Sequence, residues 1–378
     1  MSTLDFSREV SPEAAGLKPA AVASLATLFE DQIRRQGLHP AAQLVVLRRG
    51  QVILDRALGV GRFAAVNKDT PFLAFSVTKP FTGLCVLKLA EEGCLELDAP
   101  IARYWPEFGC KGKECATVRH ALLHQAGIPA PNLNRQVPLW PSWGLVTRNV
   151  ANTPAVFPPG TQMAYHLVNF GFILGEVVRR VSGLPVDVYL ARNFLEPLGL
   201  EHTTMRLPWH SLLATPALVA ESKKLQNTVR VFNLPPIRTA LMPAASLHTT
   251  ARELATFYQM LLNGGMYAGQ RCLRPETIAA ATRPCYEGWD SYLKVPMRLG
   301  LGFQLGGTLP GLEGNMGMGK GSTPRTFGHF GLGTCMSWAD SDQELVVAFT
   351  TNGVLDGESA AARWTTISNQ VWEACVKS

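Results

Sequence analysis

The chain has 378 residues, 47% of them hydrophobic and 17% charged, which is enough apolar material for a large core and too little charge for a disordered polymer. Its net charge of +6 comes from 35 basic and 29 acidic residues spread without any Lys/Arg block, so a nucleic-acid or membrane partner is not expected. Eight cysteines are too sparse for a disulfide scaffold.

The N-terminal stretch "MSTLDFSREVSPEAAGLKPAA" has neither the basic start nor the apolar run of an export signal, and no stretch reaches the roughly 20 apolar residues that cross a bilayer. The expectation is a cytoplasmic protein with reduced thiols. Val22, Leu25, Leu28, Phe29 and Ile33 then share one helical face, and "AQLVVLRRGQVILDRALGVG" holds two β-rich runs broken at Arg49-Gly50, a hairpin signal. Next comes "FLAFSVTKPFTGLCVLKLAEEG", a helix-periodic apolar run with Ser76 and Lys79 at its mouth.

In "CKGKEC", Cys110 and Cys115 are the only close cysteine pair, with His120 and His124 following in "RHALLH". Half a zinc site is conceivable there, but loop thiols followed by a helix bearing two histidines is the favoured reading. Three helical patterns follow, "VNFGFILGEVVRRVSG", "PVDVYLARNFLEPLGL" and "TARELATFYQMLLNGG", each ending on a glycine or at a Gly-containing break. Glycine is crowded from Gly300 to Gly333, where "GNMGMGKGS" falls one residue short of a phosphate loop because Gly321 stands where Ser or Thr should be; a mobile loop is expected. A second hairpin is expected in "LGTCMSWADSDQELVVAFTTNG", turning at Asp340-Ser341-Asp342, and a last helix carries Trp364, Ile367 and Val371 on one face.

Strands at both ends with helices between them predict an α+β fold in two lobes: a sheet lobe from 1–75 and 250–378, and a mainly helical lobe from 76–249. The cleft between them is the expected place for chemistry.

A lysine three residues after a serine, in the first turn of a helix, stands over the same face and can bring its amine to the hydroxyl. Serine needs a base to act as a nucleophile, and an ammonium group among Phe72, Phe75, Phe81 and Leu84 has its charged form disfavoured. The helix N-terminus supplies N–H groups where an oxyanion would develop. Other serines lack such a partner: no GxSxG elbow occurs, and Ser246 reads as a loop or cap residue.

With that pair in place, four ordered segments resemble the serine β-lactamase and penicillin-binding-protein superfamily, most closely class C β-lactamases and family VIII carboxylesterases: the SxxK segment itself, "TVRHALLHQAGIP", "FPPGTQMAYHLVNFGFILGEVVRRVSG" and "FGHFGLGTCMSWAD". The resemblance implies a β-lactamase/transpeptidase-like fold with an antiparallel sheet. It places the second-motif tyrosine on Tyr165, hydrogen-bonded to Lys79 and Ser76 as general base, and the third motif on His329-Phe330-Gly331. Gly331 would admit substrate closely, His329 would donate to it, and the Leu332 and Ser76 amides would hold the oxyanion. Two departures weaken a β-lactam substrate: Tyr165-His166-Leu167 lacks the asparagine of Tyr-x-Asn, and His329 replaces the lysine of Lys-Thr-Gly.

The expected activity is cleavage of a small-molecule carboxylic ester through an acyl-enzyme on Ser76, with no metal or organic cofactor. Acyl transfer to an alcohol, a D-amino-acid amidase or peptidase, and weak β-lactamase activity share that intermediate, and a non-catalytic binding protein is the alternative of another class. The segment "NLNRQVPLWPSWG" and the tract from Tyr286 to Thr326 are expected to wall the pocket, with Trp140, Trp143 and Trp289 as apolar contacts or core residues.

Overall fold

The computed structural model describes residues 3–61, 64–129, 136–308 and 317–375. Strands β1 (Ala41–Arg48) and β2 (Gln51–Gly59) form the first expected hairpin, because Arg49 and Gly50 both adopt positive φ, 51° and 69°, as a tight two-residue turn requires. Six later strands complete the sheet: β3 (Tyr286–Asp290), β4 (Val295–Leu299), β5 (Gln304–Leu305), β6 (Thr326–Phe330), β7 (Met336–Asp340) and β8 (Leu345–Thr351). All eight pair antiparallel in the order β2-β1-β8-β7-β6-β5-β4-β3, so N-terminal and C-terminal chain meet where β1 pairs β8. The arrangement is α+β with an antiparallel sheet, as the resemblance implies.

The sheet is covered on both faces, which is why β1 and β8 are buried along their whole length. Leu44, Val46, Val347 and Phe349 point into one core, filled by helix α1 (Pro19–Arg34, with Leu25 and Phe29) and by a long C-terminal helix (Gly357–Ala374, with Trp364, Ile367 and Val371). Their alternates Val45, Leu47, Val346 and Ala348 point into the other core. Helices α2 (Thr78–Glu91), α3 (Asn169–Ser182) and α4 (Ala251–Leu262) fill that side. The C-terminal helix is α5.

Glycine stops hold where they are expected: Gly183, with φ 74°, ends α3. Thr250 caps α4 by accepting the Glu253 N–H at 3.1 Å. The helical pattern at 185–200 is interrupted by a π turn at Ala191–Leu195 before Gly199 ends it.

Two expectations are corrected. Residues 286–305 carry three sheet strands rather than loops, hidden from pattern reading by Gly288 and Pro296 inside the hairpin and by half-exposed positions along β3. Residues 317–322 of the glycine tract are packed rather than mobile: Trp372 Nε1 donates to Met318 O at 2.7 Å, Lys320 N–H donates to Asn369 Oδ1 at 2.7 Å, and a Cβ on Gly321 would lie 2.5 Å from the Trp372 ring. The rest of "GNMGMGKGS", and residues 132–135 of the proposed pocket wall, lie outside the described residues.

All eight cysteines are free thiols. His120 is spent locally: its Nδ1 accepts the Thr117 N–H at 3.3 Å in a reciprocal cap of a short helix. Trp140 is buried against Phe232, and Trp143 donates to Glu176 at 2.7 Å, so both are packing residues, whereas Trp289 is exposed. Ser246 is a loop brace whose hydroxyl donates to Met205 O at 2.6 Å.

Candidate active site

Ser76 sits in a 3-10 turn, Phe75–Val77, that runs straight into α2. The turn is pinned from behind. Phe72-Leu73 pairs with His248-Thr249, Ala74 N–H donates to Leu247 O at 2.8 Å, and Leu247 N–H donates to Thr78 Oγ1 at 3.0 Å. Phe75 is held at φ 45°, a left-handed conformation that costs a non-glycine residue on the order of 1 kcal/mol or more. That strain sits immediately before a half-buried Ser76, the only part of the turn reaching solvent.

Lys79 Nζ lies 3.0 Å from Ser76 Oγ, as the three-residue spacing predicts. Its other two neighbours were invisible in the sequence: Nζ donates to Leu167 O at 2.8 Å and to Ala244 O at 3.3 Å. Gly171 makes the second contact possible, since a Cβ there would lie 2.4 Å from Ala244 N. Lys79 is wholly buried, and among the described residues no carboxylate pairs with it. Desolvation therefore holds its pKa well below the ordinary lysine value. The apolar shell differs from the expected one. The rings of Tyr165 and Phe170 lie 4.6 and 5.8 Å from Nζ, while Phe75 packs on Phe232 and Phe81 stacks on Phe257.

Tyr165 is brought to this pair by the loop before α3. Its pKa is raised, by burial first and by the charge of Asp290 in addition, while the nearby Ser76 hydroxyl works in the opposite direction. Lys79 faces the ring rather than the phenolic oxygen, so the expected Lys79–Tyr165 hydrogen bond is replaced by a cation–π or amine–π contact. The backbone here is clamped by the tip of the β3–β4 hairpin. Asp290, fully buried, accepts from the N–H groups of Tyr165, Tyr292 and Leu293 on one oxygen, at 3.1, 2.8 and 3.0 Å. Ser291 adds an N–H and a hydroxyl to Met163 O, at 3.0 and 2.9 Å.

Three buried histidines surround the tyrosine, and all three are neutral. His124 stacks on the Tyr165 ring with centroids 4.5 Å apart, and its Nδ1 accepts the His166 N–H at 2.9 Å. Burial first, and then the cost of placing a second positive charge beside His166, Lys79 or His329, hold its pKa well down. His166 Nε2 accepts the Ile128 N–H at 3.3 Å, and burial brings its pKa to about 4. His329 Nδ1 lies 2.9 Å from both the N–H and the carbonyl oxygen of Phe330; burial, with Lys79 second, lowers its pKa to about 3. Asn169 replaces nothing in the missing Tyr-x-Asn position: it is buried, donating to Ile128 O at 2.8 Å and accepting from Gln136 at 3.0 Å.

The third segment closes the site from β6. Gly331 backs onto the nucleophile turn so closely that a Cβ would lie 2.4 Å from Ala74 O. Leu332 follows at the surface, 45% exposed, and its N–H has no partner among the described residues. Ser76, Lys79, Tyr165, His329, Gly331 and Leu332 thus converge. His124, Asp290 and Arg363, which braces the turn after Leu332, were not singled out in these roles, although His124 lies within the "ALLHQAGIP" segment that carried the resemblance.

Comparisons with known proteins agree on the fold. Residues 26–371 match the family model described as Beta-lactamase. An esterase/beta-lactamase, LipL, of Mycobacterium tuberculosis is 28% identical over 317 residues, covering 76% of this chain and 71% of that protein. A putative D-alanyl-D-alanine carboxypeptidase of Salmonella agona is 24% identical over 385 residues, covering 90% and 85%. Among solved structures, a family VIII carboxylesterase superposes with a TM-score of 0.81 at 27% identity, covering 93% of this chain and 98% of that one.

Proposed function

Since the chain belongs to the β-lactamase family and has the fold of its serine hydrolases, we propose that it is a carboxylesterase acting through an acyl-enzyme on Ser76. The observation that carries the reading is a buried amine, with no carboxylate beside it among the described residues, 3.0 Å from the hydroxyl of a half-exposed serine.

A neutral Lys79 has two N–H groups and one lone pair. Leu167 O and Ala244 O take the two N–H groups, which leaves the lone pair for the Ser76 hydroxyl. In this proposal Lys79, whose pKa burial lowers, acts as the base and Tyr165, whose pKa burial raises, as the acid, whereas the family resemblance implied Tyr165 as the general base. As Ser76 Oγ bonds to the ester carbon, its proton passes to Lys79 and the carbonyl electrons move onto oxygen, where the Ser76 and Leu332 amides stabilise the charge. Collapse breaks the bond to the alkoxy oxygen. Tyr165 protonates the leaving alcohol and is reprotonated at the expense of Lys79. Water then adds to the acyl carbon by the reverse sequence and frees the acid.

Support for an ester over a substrate with a free carboxylate comes from the third segment. In place of a lysine it offers His329, held neutral at about 3, and the nearby Arg363 spends its Nη2 on Gly333 O and Thr334 O. Among the described residues a terminal carboxylate would find no free cation beside Gly331, whereas a neutral ester needs none. The names of LipL and of the family VIII carboxylesterase agree with this reading, and that of the Salmonella agona relative supplies its rival.

The test is a direct comparison of p-nitrophenyl esters with a peptide ending in D-Ala-D-Ala. Ester turnover that disappears in Ser76→Ala, with no release of D-alanine, is the expected result. Release of D-alanine at a comparable rate would transfer the proposal to the carboxypeptidase, and undiminished ester turnover in Ser76→Ala would end it.

A further inference from the structure

Resting on the acyl transfer proposed above, we propose that Arg363 and Trp364 of α5 are positioning residues for the oxyanion site, holding the Gly331–Thr334 turn that presents the Leu332 amide. Arg363 is an anomaly in its surroundings. It is 3% exposed, and among the described residues no carboxylate pairs with it. A buried guanidinium without a counter-ion is costly, and an apolar residue of similar size would serve a core better. Burial lowers its pKa only to about 10, so it stays charged at neutral pH.

What it binds are two successive carbonyls. Nη2 donates to Gly333 O and to Thr334 O, both at 2.8 Å, and Trp364 Nε1 adds a bond to Thr334 O at 3.0 Å. Its Nη1 reaches only the neutral His39, 3.5 Å away, and its Nε is without a partner among the described residues. Drawing both carbonyls toward α5 fixes the Gly333–Thr334 and Thr334–Cys335 peptide planes, which lie just beyond the Leu332–Gly333 peptide. Thr334 N–H to Gly331 O at 3.4 Å and Gly331 N–H to Cys335 O at 2.8 Å close the turn around it. Gly333 holds φ 56°, and a Cβ there would lie 2.0 Å from Leu355 O. Leu332 N–H, like that of Gly333, has no partner among the described residues, and it lies beside the Ala74–Ser76 turn against which Gly331 packs. An amide placed by charge-assisted bonds at its neighbours has little freedom to reorganise, as oxyanion stabilisation requires.

The test compares wild type with Arg363→Met, Arg363→Lys and Trp364→Phe. Each rate is divided by the amount of Ser76 labelled to completion with a fluorophosphonate, so that unfolded protein does not count. Substrates are a p-nitrophenyl ester and its thionoester, in which sulfur replaces the carbonyl oxygen and is a poorer acceptor for an oxyanion-site N–H. For Arg363→Met the per-site kcat should fall on the order of 10- to 100-fold with KM within about threefold, and the preference for the oxygen ester should shrink by a similar factor. Arg363→Lys should restore part of both, and Trp364→Phe should cost a few-fold.

An unchanged per-site kcat and oxygen-to-sulfur preference, even with a lowered Tm, would overturn the proposal by showing a packing role alone. If Arg363→Met yields no folded protein, the same ratio in Arg363→Lys and Trp364→Phe decides. A wild type that neither labels at Ser76 nor turns over would instead overturn the proposed function, and this inference with it.

Discussion

On the α2 side of the site the working atoms belong to side chains: a hydroxyl, an amine and a phenol, tuned by burial. On the β6 side they belong to the backbone, an exposed amide carried by a glycine-rich turn whose shape is set elsewhere, by Leu355 and α5. The first half is fixed by desolvation and the second by packing and hydrogen bonds. Substitutions should therefore damage the two halves differently, the first through proton transfer and pH dependence, the second through geometry at nearly constant pH dependence.

The sharpest break in that contrast is Lys79→Met. Removing the base should lower kcat/KM for a p-nitrophenyl ester on the order of 10³-fold or more while leaving the fold intact, since a buried methionine needs no desolvation. The proposed mechanism makes the neutral amine the active form, so activity should be lost as pH falls through the lysine's folded pKa. A pH–rate profile should show that acid limb well below the ordinary lysine pKa of about 10.5. A limb near the ordinary value would reverse the assignment of base.

On the other half, Gly331→Ala places a methyl 2.4 Å from Ala74 O. The strand or the nucleophile turn must move, and a loss of about 100-fold is expected without displacement of the acid limb. A displaced limb would mean that the two halves are coupled electrostatically after all.

The hairpin clamp is a milder probe. Asp290→Ala leaves the N–H groups of Tyr165, Tyr292 and Leu293 without their acceptor, which should destabilise the protein by about 3 kcal/mol and lower kcat roughly tenfold. Asp290→Asn, which keeps an acceptor oxygen, should recover most of the activity. Chemical denaturation alongside kinetics separates the two losses.

The smallest effect concerns acid stability. His166 and His329 have folded pKa values of about 4 and about 3, lowered from 6.5 by burial, so below pH 6.5 the unfolded chain binds protons that the folded one does not. Their contribution is complete above that pH and is lost as pH falls toward the folded values, by about 1.4 kcal/mol per pH unit for each histidine. Tm measured between pH 7.5 and 4.5 should fall steadily, and less steeply in His166→Gln.

Side-chain chemistry was also the legible half. Ser76 and Lys79 announced themselves by spacing within an apolar helix, and Tyr165 by a segment resemblance. Arg49-Gly50 marked the first hairpin because turn geometry is written in local residues. The rest depended on long-range placement. Nothing local says that Leu167 and Ala244 will give their carbonyls to Lys79, or that Asp290 at a hairpin tip will hold a backbone 125 residues away. Arg363 looks like any helix arginine until its face of α5 is known to be buried. The proposed proton assignment differs from the one the resemblance implied for the same reason: burial, which lowers the pKa of the amine and raises that of the phenol, is a property of the folded chain.

The most direct measurement of the central claim is the fluorophosphonate adduct itself, located by peptide mass mapping at neutral pH in wild type and in Lys79→Met. A single adduct on Ser76, formed rapidly in the wild type and slowed on the order of 10³-fold in the variant, is the predicted result. Modification at another residue, or equal rates in the two proteins, would contradict it.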